Sequence, residues 1–65
     1  MKYIFRGNII FEYTPEKLHN KVVQVVHFNY CSMIPEDYKL LSQFFDTVYR
    51  HTQGEEVELK DINVN

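Results

Sequence analysis

The chain has 65 residues, a mass of 7.9 kDa and a formal net charge of −2, so it forms one small domain at most, since a typical domain has about 100–150 residues. Hydrophobic residues make up 45% and charged residues 25%, which suits a folded domain and excludes a disordered chain. No apolar run approaches the roughly 18 residues of a membrane span. No two of the basic residues are adjacent, so the sequence has no basic stripe that would bind nucleic acid.

Residues 2–13 alternate in the pattern of a β-strand. The odd positions carry aromatic or β-branched side chains apart from one glycine, and such residues favour strands: Tyr3, Phe5, Gly7, Ile9, Phe11 and Tyr13. The alternation predicts one long strand over residues 2–13 whose odd face packs on the core. Gly7 lacks a side chain in the middle of that face, which predicts a β-bulge or the close approach of a packed helix there.

Residues 21–33 form a second alternating segment. Its even positions carry Val22, Val26, Phe28 and Tyr30, which predicts a second strand over residues 21–33. A loop of about seven residues separates the two segments, so we expect them to pair as an antiparallel ribbon.

Residues 35–52 are predicted to form a helix. Pro35 suits the first helical position, and Glu36 and Asp37 add the negative charge that favours a helix N-terminus. Apolar residues then recur at spacings of three and four, as on one face of a helix: Tyr38, Leu41, Phe44, Phe45 and Val48. We expect the sheet to be covered by Tyr38, Leu41, Phe45 and Val48.

Residues 56–60 alternate as a third strand, and residues 61–65 are expected to form a loose tail. The order β-β-α-β predicts a single α+β domain over residues 1–65, with a three-stranded, mainly antiparallel sheet and one helix on one face. In the favoured strand order 2-1-3 the first strand is central. The third strand would then run antiparallel to the first and parallel to the second.

One helix covers only one face of such a sheet. The other face would carry Ile4, Ile10, Val23 and Val25, which is much apolar surface for the solvated side of an antiparallel sheet. We therefore expect an interface there with a neighbouring domain, a second copy or another protein. The alternative is a few scattered apolar residues in water.

The sequence holds no residue pattern typical of catalysis or cofactor binding. Cys31 and His27 would lie four residues apart on a strand, about 13 Å, whereas a nucleophile and its base need about 3 Å. No histidines or cysteines have zinc-binding spacing, and the glycines form no phosphate-binding loop. We therefore predict no catalytic, cofactor-binding or metal-binding residues and no enzymatic activity.

Two further functions are alternatives to an accessory domain. Acidic residues concentrate near the C-terminus, at Glu55, Glu56, Glu58 and Asp61, and this edge would suit a stand-alone regulator or inhibitor that binds one protein. A weaker alternative is a nucleic-acid module, because sheet aromatics can stack on bases. Such a sheet needs basic neighbours, which this sequence does not supply, so we expect no nucleic acid as partner.

The stretch HFNYCSMIPEDY at residues 27–38 leads into an aromatic helix and then into the Val-x-Leu strand of residues 57–59. This order resembles the small C-terminal domain of unknown function that follows the transglutaminase-like core in bacterial envelope proteins, common in Bacteroidetes. The resemblance covers residues 21–60. The chain departs from that family in having one proline where the family often has two.

The resemblance implies a non-catalytic accessory domain. The catalytic residues of such proteins lie in the preceding core, and none of them maps onto a position of this chain. An excised domain of this kind would belong to the cell envelope. A stand-alone chain without an export signal is expected in the cytoplasm.

Overall fold

The computed structural model describes residues 1–15, 22–26 and 33–65, with the backbone alone at residues 22–25. In this part of the chain the elements are β1 (Lys2–Phe5), β2 (Asn8–Tyr13), β3 (Val22–Val25), α1 (Pro35–Thr52) and β4 (Ile62–Val64). The described strands form one sheet in the order β3-β2-β1-β4. The β1–β2 and β2–β3 pairs are antiparallel, and β1–β4 is parallel. The predicted α+β class, with one helix on a mainly antiparallel sheet, is confirmed.

The predicted single strand over residues 2–13 is a β-hairpin. Phe5 pairs with Asn8, which leaves Arg6 and Gly7 as a two-residue turn. Both turn residues have positive φ, 49° at Arg6 and 82° at Gly7, as the twist of a tight hairpin requires. A Cβ added at Gly7 would meet nothing within 4 Å, so the predicted close approach of a helix was wrong, and Gly7 serves the turn.

Replacing Gly7 with alanine should therefore cost about 1 kcal/mol of unfolding free energy, because the strain is in the backbone and not in packing. Asparagine tolerates positive φ better, so Gly7→Asn should lose clearly less. Urea denaturation followed by circular dichroism measures both variants. Equal stability of the alanine variant and the original chain would contradict this description of the turn.

Ile10 lies in the core, at a β-bulge. Ile4 pairs with Ile9, so the next residue, Ile10, points to the same face as the buried Tyr3. Tyr3 itself pairs with Phe11, which makes Ile10 the extra residue of the bulge on β2, and its side chain is fully buried in the core cluster. The prediction that Ile10 lies on the uncovered sheet face was therefore wrong.

The edge strands are shorter than the alternation predicts. β3 ends at Val25, and the Val26 N–H donates to the Ile10 carbonyl at 2.8 Å. Residues 33 and 34 are not strand, and residues 21 and 27–32 lie outside the described part.

The predicted strand over residues 56–60 was wrong, and so was the loose tail. Residues 55–61 are irregular, and Ile62–Val64 forms β4. The Lys2 N–H donates to the Asp61 carboxylate at 2.7 Å, so a side chain takes this donor and sheet pairing begins only at Ile62. The segment order was predicted correctly. The expectation that this strand runs antiparallel to the first was wrong: β4 is parallel to its neighbour because that neighbour is β1, the first half of the hairpin.

The helix prediction is confirmed at both ends, as α1 spans Pro35–Thr52. At its start, the Ile34 N–H donates to the Asp37 carboxylate at 3.0 Å, which satisfies one of the free donors of a helix N-terminus. The buried Tyr3 hydroxyl donates to the Asp37 carbonyl at 3.0 Å and so fixes the first turn over β1. The hydrophobic core comprises Tyr3, Phe5, Ile10, Tyr13, Phe44 and Val48.

Candidate interaction surface

Four large apolar side chains of the helical segment are exposed to solvent. Ile34 is 54% exposed, Tyr38 47%, Phe45 39% and Tyr49 62%. They follow one another at intervals of four, seven and four residues. At about 100° per residue, Tyr38, Phe45 and Tyr49 lie within a sector of about 40° on α1. Ile34 is the N-cap residue directly before α1, with extended backbone. We call this row of four residues the helix stripe.

The expectation that Tyr38 covers the sheet was wrong, whereas Val48 is buried as expected and Phe45 covers the sheet only in part. The buried apolar positions of α1 are Phe44 and Val48, roughly a quarter turn from the stripe. Phe45 lies at the border, with its ring edge-on to Phe11 at 4.8 Å between centroids. The apolar surface of α1 therefore continues from the core out to solvent along one side.

Polar and charged residues border the helix stripe on its solvent side. Lys39, Ser42, Asp46 and Arg50 are all exposed there. The Arg50 guanidinium lies 3.9 Å from Asp46 and 3.3 Å from Glu55. The hydrogen bond to Glu55, and then its charge, raise the pKa of Arg50 above its ordinary value. An apolar row with a charged rim has the make-up of a protein-binding surface.

The uncovered sheet face is more polar than expected. On the hairpin, Ile4 pairs with Ile9, and beside them Lys2 pairs with Glu12; all four are only half-exposed. Val23 and Val25 lie in β3, where the side chains are outside the described part. Among described residues, the exposed large apolar side chains all belong to the helix stripe.

The candidate chemical residues are not brought together in the described part. Cys31, His27 and His19 fall outside it. His51 lies in the last turn of α1, where its Nδ1 is 2.8 Å from the Tyr13 hydroxyl. Within residues 1–15, 22–26 and 33–65 there is no pocket, no group of three potential metal ligands and no helix suited to cross a membrane.

The acidic segment contacts its own chain. Besides the Glu55–Arg50 pair, the Glu58 carboxylate is 3.4 Å from the Lys60 ammonium. Asp61 accepts the Lys2 N–H. These carboxylates are exposed but partnered, which limits the unneutralised charge they offer to another molecule.

The buried tyrosines couple stability to alkaline pH. Burial raises the pKa of Tyr3 and of Tyr13 above the ordinary value of about 10, and the charge of Asp37 adds to the rise at Tyr3. The folded chain thus holds these protons more tightly than the unfolded chain. The stability they contribute is complete below about pH 10 and is lost as pH rises through the folded pKa.

We therefore expect the urea midpoint to fall above about pH 10. A Tyr3→Phe, Tyr13→Phe double variant should show a shallower fall in the urea midpoint, although its midpoint starts lower because the hydrogen bonds of both hydroxyls, to the Asp37 carbonyl and to His51, are lost. Tyr38→Phe, which replaces an exposed tyrosine, is the control. If the urea midpoint fell equally in the double variant and the original chain, the loss of stability at alkaline pH would not come from these two tyrosine hydroxyls.

The helix stripe was missed because the helical apolar pattern was assigned wholly to the core. A usable signal was present: Tyr49 lies four residues after Phe45, and Ile34 four before Tyr38. Together with Phe44 and Val48, these residues make the apolar sector wider than one contact with a single sheet needs.

No protein family, curated protein or solved structure in the comparisons matches this chain. The relation to transglutaminase-associated domains stays a prediction.

Proposed function

We propose that this chain is a non-catalytic protein-interaction domain that binds through the helix stripe. The observation that carries the proposal is a row of three aromatic side chains on one side of a regular helix, with Ile34 at its N-cap, all left 39–62% exposed. Exposed apolar rows with polar borders typically mark protein-binding surfaces. Tyrosine suits such a surface because it offers a large apolar contact together with a hydroxyl that water can solvate.

An accessory role is also what the resemblance to the transglutaminase-associated domain implies. The partner would then be a neighbouring domain or a separate protein. The alternative of a regulator that binds through its acidic segment has less support, because Glu55, Glu58 and Asp61 already contact basic or N–H groups of their own chain.

Site-specific photo-crosslinking tests the proposal. A photoreactive phenylalanine analogue replaces Tyr49 in one variant and Gln43 in the other. Both positions are exposed on α1, but Gln43 points about 150° away from the stripe. In cells that express the chain naturally, we expect discrete protein adducts from position 49 and none from position 43. Adducts from neither position, or the same adducts from both, would overturn the proposal.

A further inference from the structure

We propose that the helix stripe binds the same stripe of a second copy of this chain, in an antiparallel, twofold-symmetric pair. This inference rests on the proposed interaction function and names the partner. The spacing of the stripe and the charges beside it support this pair.

The spacing of the stripe is palindromic. The intervals of four, seven and four residues read the same from either end, and a twofold axis pairs a surface with its own reverse. With the axis midway between Leu41 and Ser42, Tyr38 faces the partner's Phe45. Ile34, at the N-cap, then lies level with the partner's Tyr49 along the helix axis. The helical members Tyr38 and Phe45 thus meet an apolar member of the other stripe twice.

The charges beside the stripe select the antiparallel orientation. Lys39 and Asp46 are exposed on the same side of the stripe, and a twofold rotation brings that side of both helices together. Asp46 lies 3.9 Å from Arg50 of its own chain, but Arg50 has a nearer partner in Glu55 at 3.3 Å. Lys39 then lies about 3 Å along the axis from the partner's Asp46. The symmetry creates this attraction twice. A parallel pair would instead place the charged sides of the two helices on opposite sides of the interface, so Lys39 and the partner's Asp46 would not meet.

The area of the stripe indicates a weak pair. From their exposed fractions, the four side chains present a surface on the order of 400 Å² per chain. A dimer would therefore bury about 800 Å² from both stripes, which is below the roughly 1,200 Å² that stable interfaces bury. Ser42, beside the axis, is small and allows the helices to approach. We expect a dimer with a Kd on the order of 0.1 mM.

Charge exchange tests both the partner and the orientation. Sedimentation equilibrium of the 65-residue chain, up to about 1 mM, compares the original sequence with Lys39→Glu and with Asp46→Lys. Each variant places like charges together twice and should weaken the dimer about tenfold. The double variant Lys39→Asp, Asp46→Lys should restore it. An equimolar mixture of the two single variants should also associate, since both of its contacts are attractive.

Gln43→Glu is the matched control, because it adds one negative charge on the far side of α1, and it should dimerise like the original chain. Circular dichroism confirms that each variant is folded. Failure of the double variant to restore the dimer overturns the antiparallel pairing. A monomeric original chain at about 1 mM overturns the second copy as partner. In that case the proposed function stands if position 49 still cross-links to another protein. If no protein is captured, the proposed function is overturned together with the dimer.

Discussion

Replacing Phe44 with alanine is expected to unfold most of the chain at 25 °C. Phe44 is fully buried, and its ring meets those of Tyr3 at 5.9 Å and Phe11 at 6.2 Å between centroids. It therefore joins α1 to both strands of the hairpin. Truncating a buried phenylalanine costs about 3–5 kcal/mol, and a core of this size rarely supplies more than about 3–5 kcal/mol in total.

Far-UV circular dichroism and urea denaturation measure this effect. The matched control is Phe45→Ala, which removes the same side chain from the next residue. Phe45 keeps 39% of its surface exposed, so we expect a loss of about 1–2 kcal/mol and a folded chain. Equal losses in the two variants would show that α1 does not pack through Phe44.

Ile10→Ala is expected to have the second largest effect, a loss of about 2–5 kcal/mol of unfolding free energy. The hairpin register points this side chain into the core, where it is fully buried. Truncation would leave a cavity beneath the helix, because the neighbouring aromatic rings can collapse only in part.

Ile4→Ala is the control for Ile10, because Ile4 lies on the adjacent strand of the hairpin and is only half-buried. It should lose about 1 kcal/mol. If the two variants lost the same stability, or if Ile4→Ala lost more, the bulge at Ile10 would be contradicted, and residues 2–13 would follow the simple alternation of one strand.

The helix could be predicted to the residue because its signals are local. Pro35 and Asp37 define its start through their own geometry and hydrogen bonds, and the three-and-four spacing needs no knowledge of the sheet. The order of the segments in the sheet also followed from local patterns, since short connections restrict which strands can be neighbours.

The hairpin could not be recognised from alternation alone. Arg6 adopts a positive φ that arginine seldom takes, so the Arg6–Gly7 turn lacks the usual Asn-Gly signature. The two-residue turn makes the even positions after it face inward, including Ile10, and the bulge at Ile10 then returns Phe11 and Tyr13 to that face. A period-2 pattern contains neither event, and for this reason Ile10 was predicted to be on the wrong face.

The third strand was misplaced for a different reason. Val57 and Leu59 alternate like a strand, but the Asp61 carboxylate, not a backbone carbonyl, accepts the Lys2 N–H. Pairing with β1 starts only after that contact. A tertiary contact decides which residue takes up the hydrogen-bonding groups at the edge of a sheet. Residue alternation along one strand does not show such a contact.

Among the described residues, the exposed large apolar side chains lie on the helix side and not on the sheet. Ile10 is removed from the surface, and Ile4 lies beside the opposite charges of Lys2 and Glu12. The helix stripe has instead the exposed aromatic residues on which protein contacts commonly depend.

An isotope-filtered NOE experiment tests the helix stripe as the binding surface most directly. A 1:1 mixture of ¹³C-labelled and unlabelled chain, at about 1 mM, reports only contacts between copies. The proposed pairing predicts intermolecular NOEs from Tyr38 to the partner's Phe45 and from Ile34 to the partner's Tyr49. Intermolecular NOEs confined to Ile4 and Ile9 on the sheet, or none at all, would contradict it.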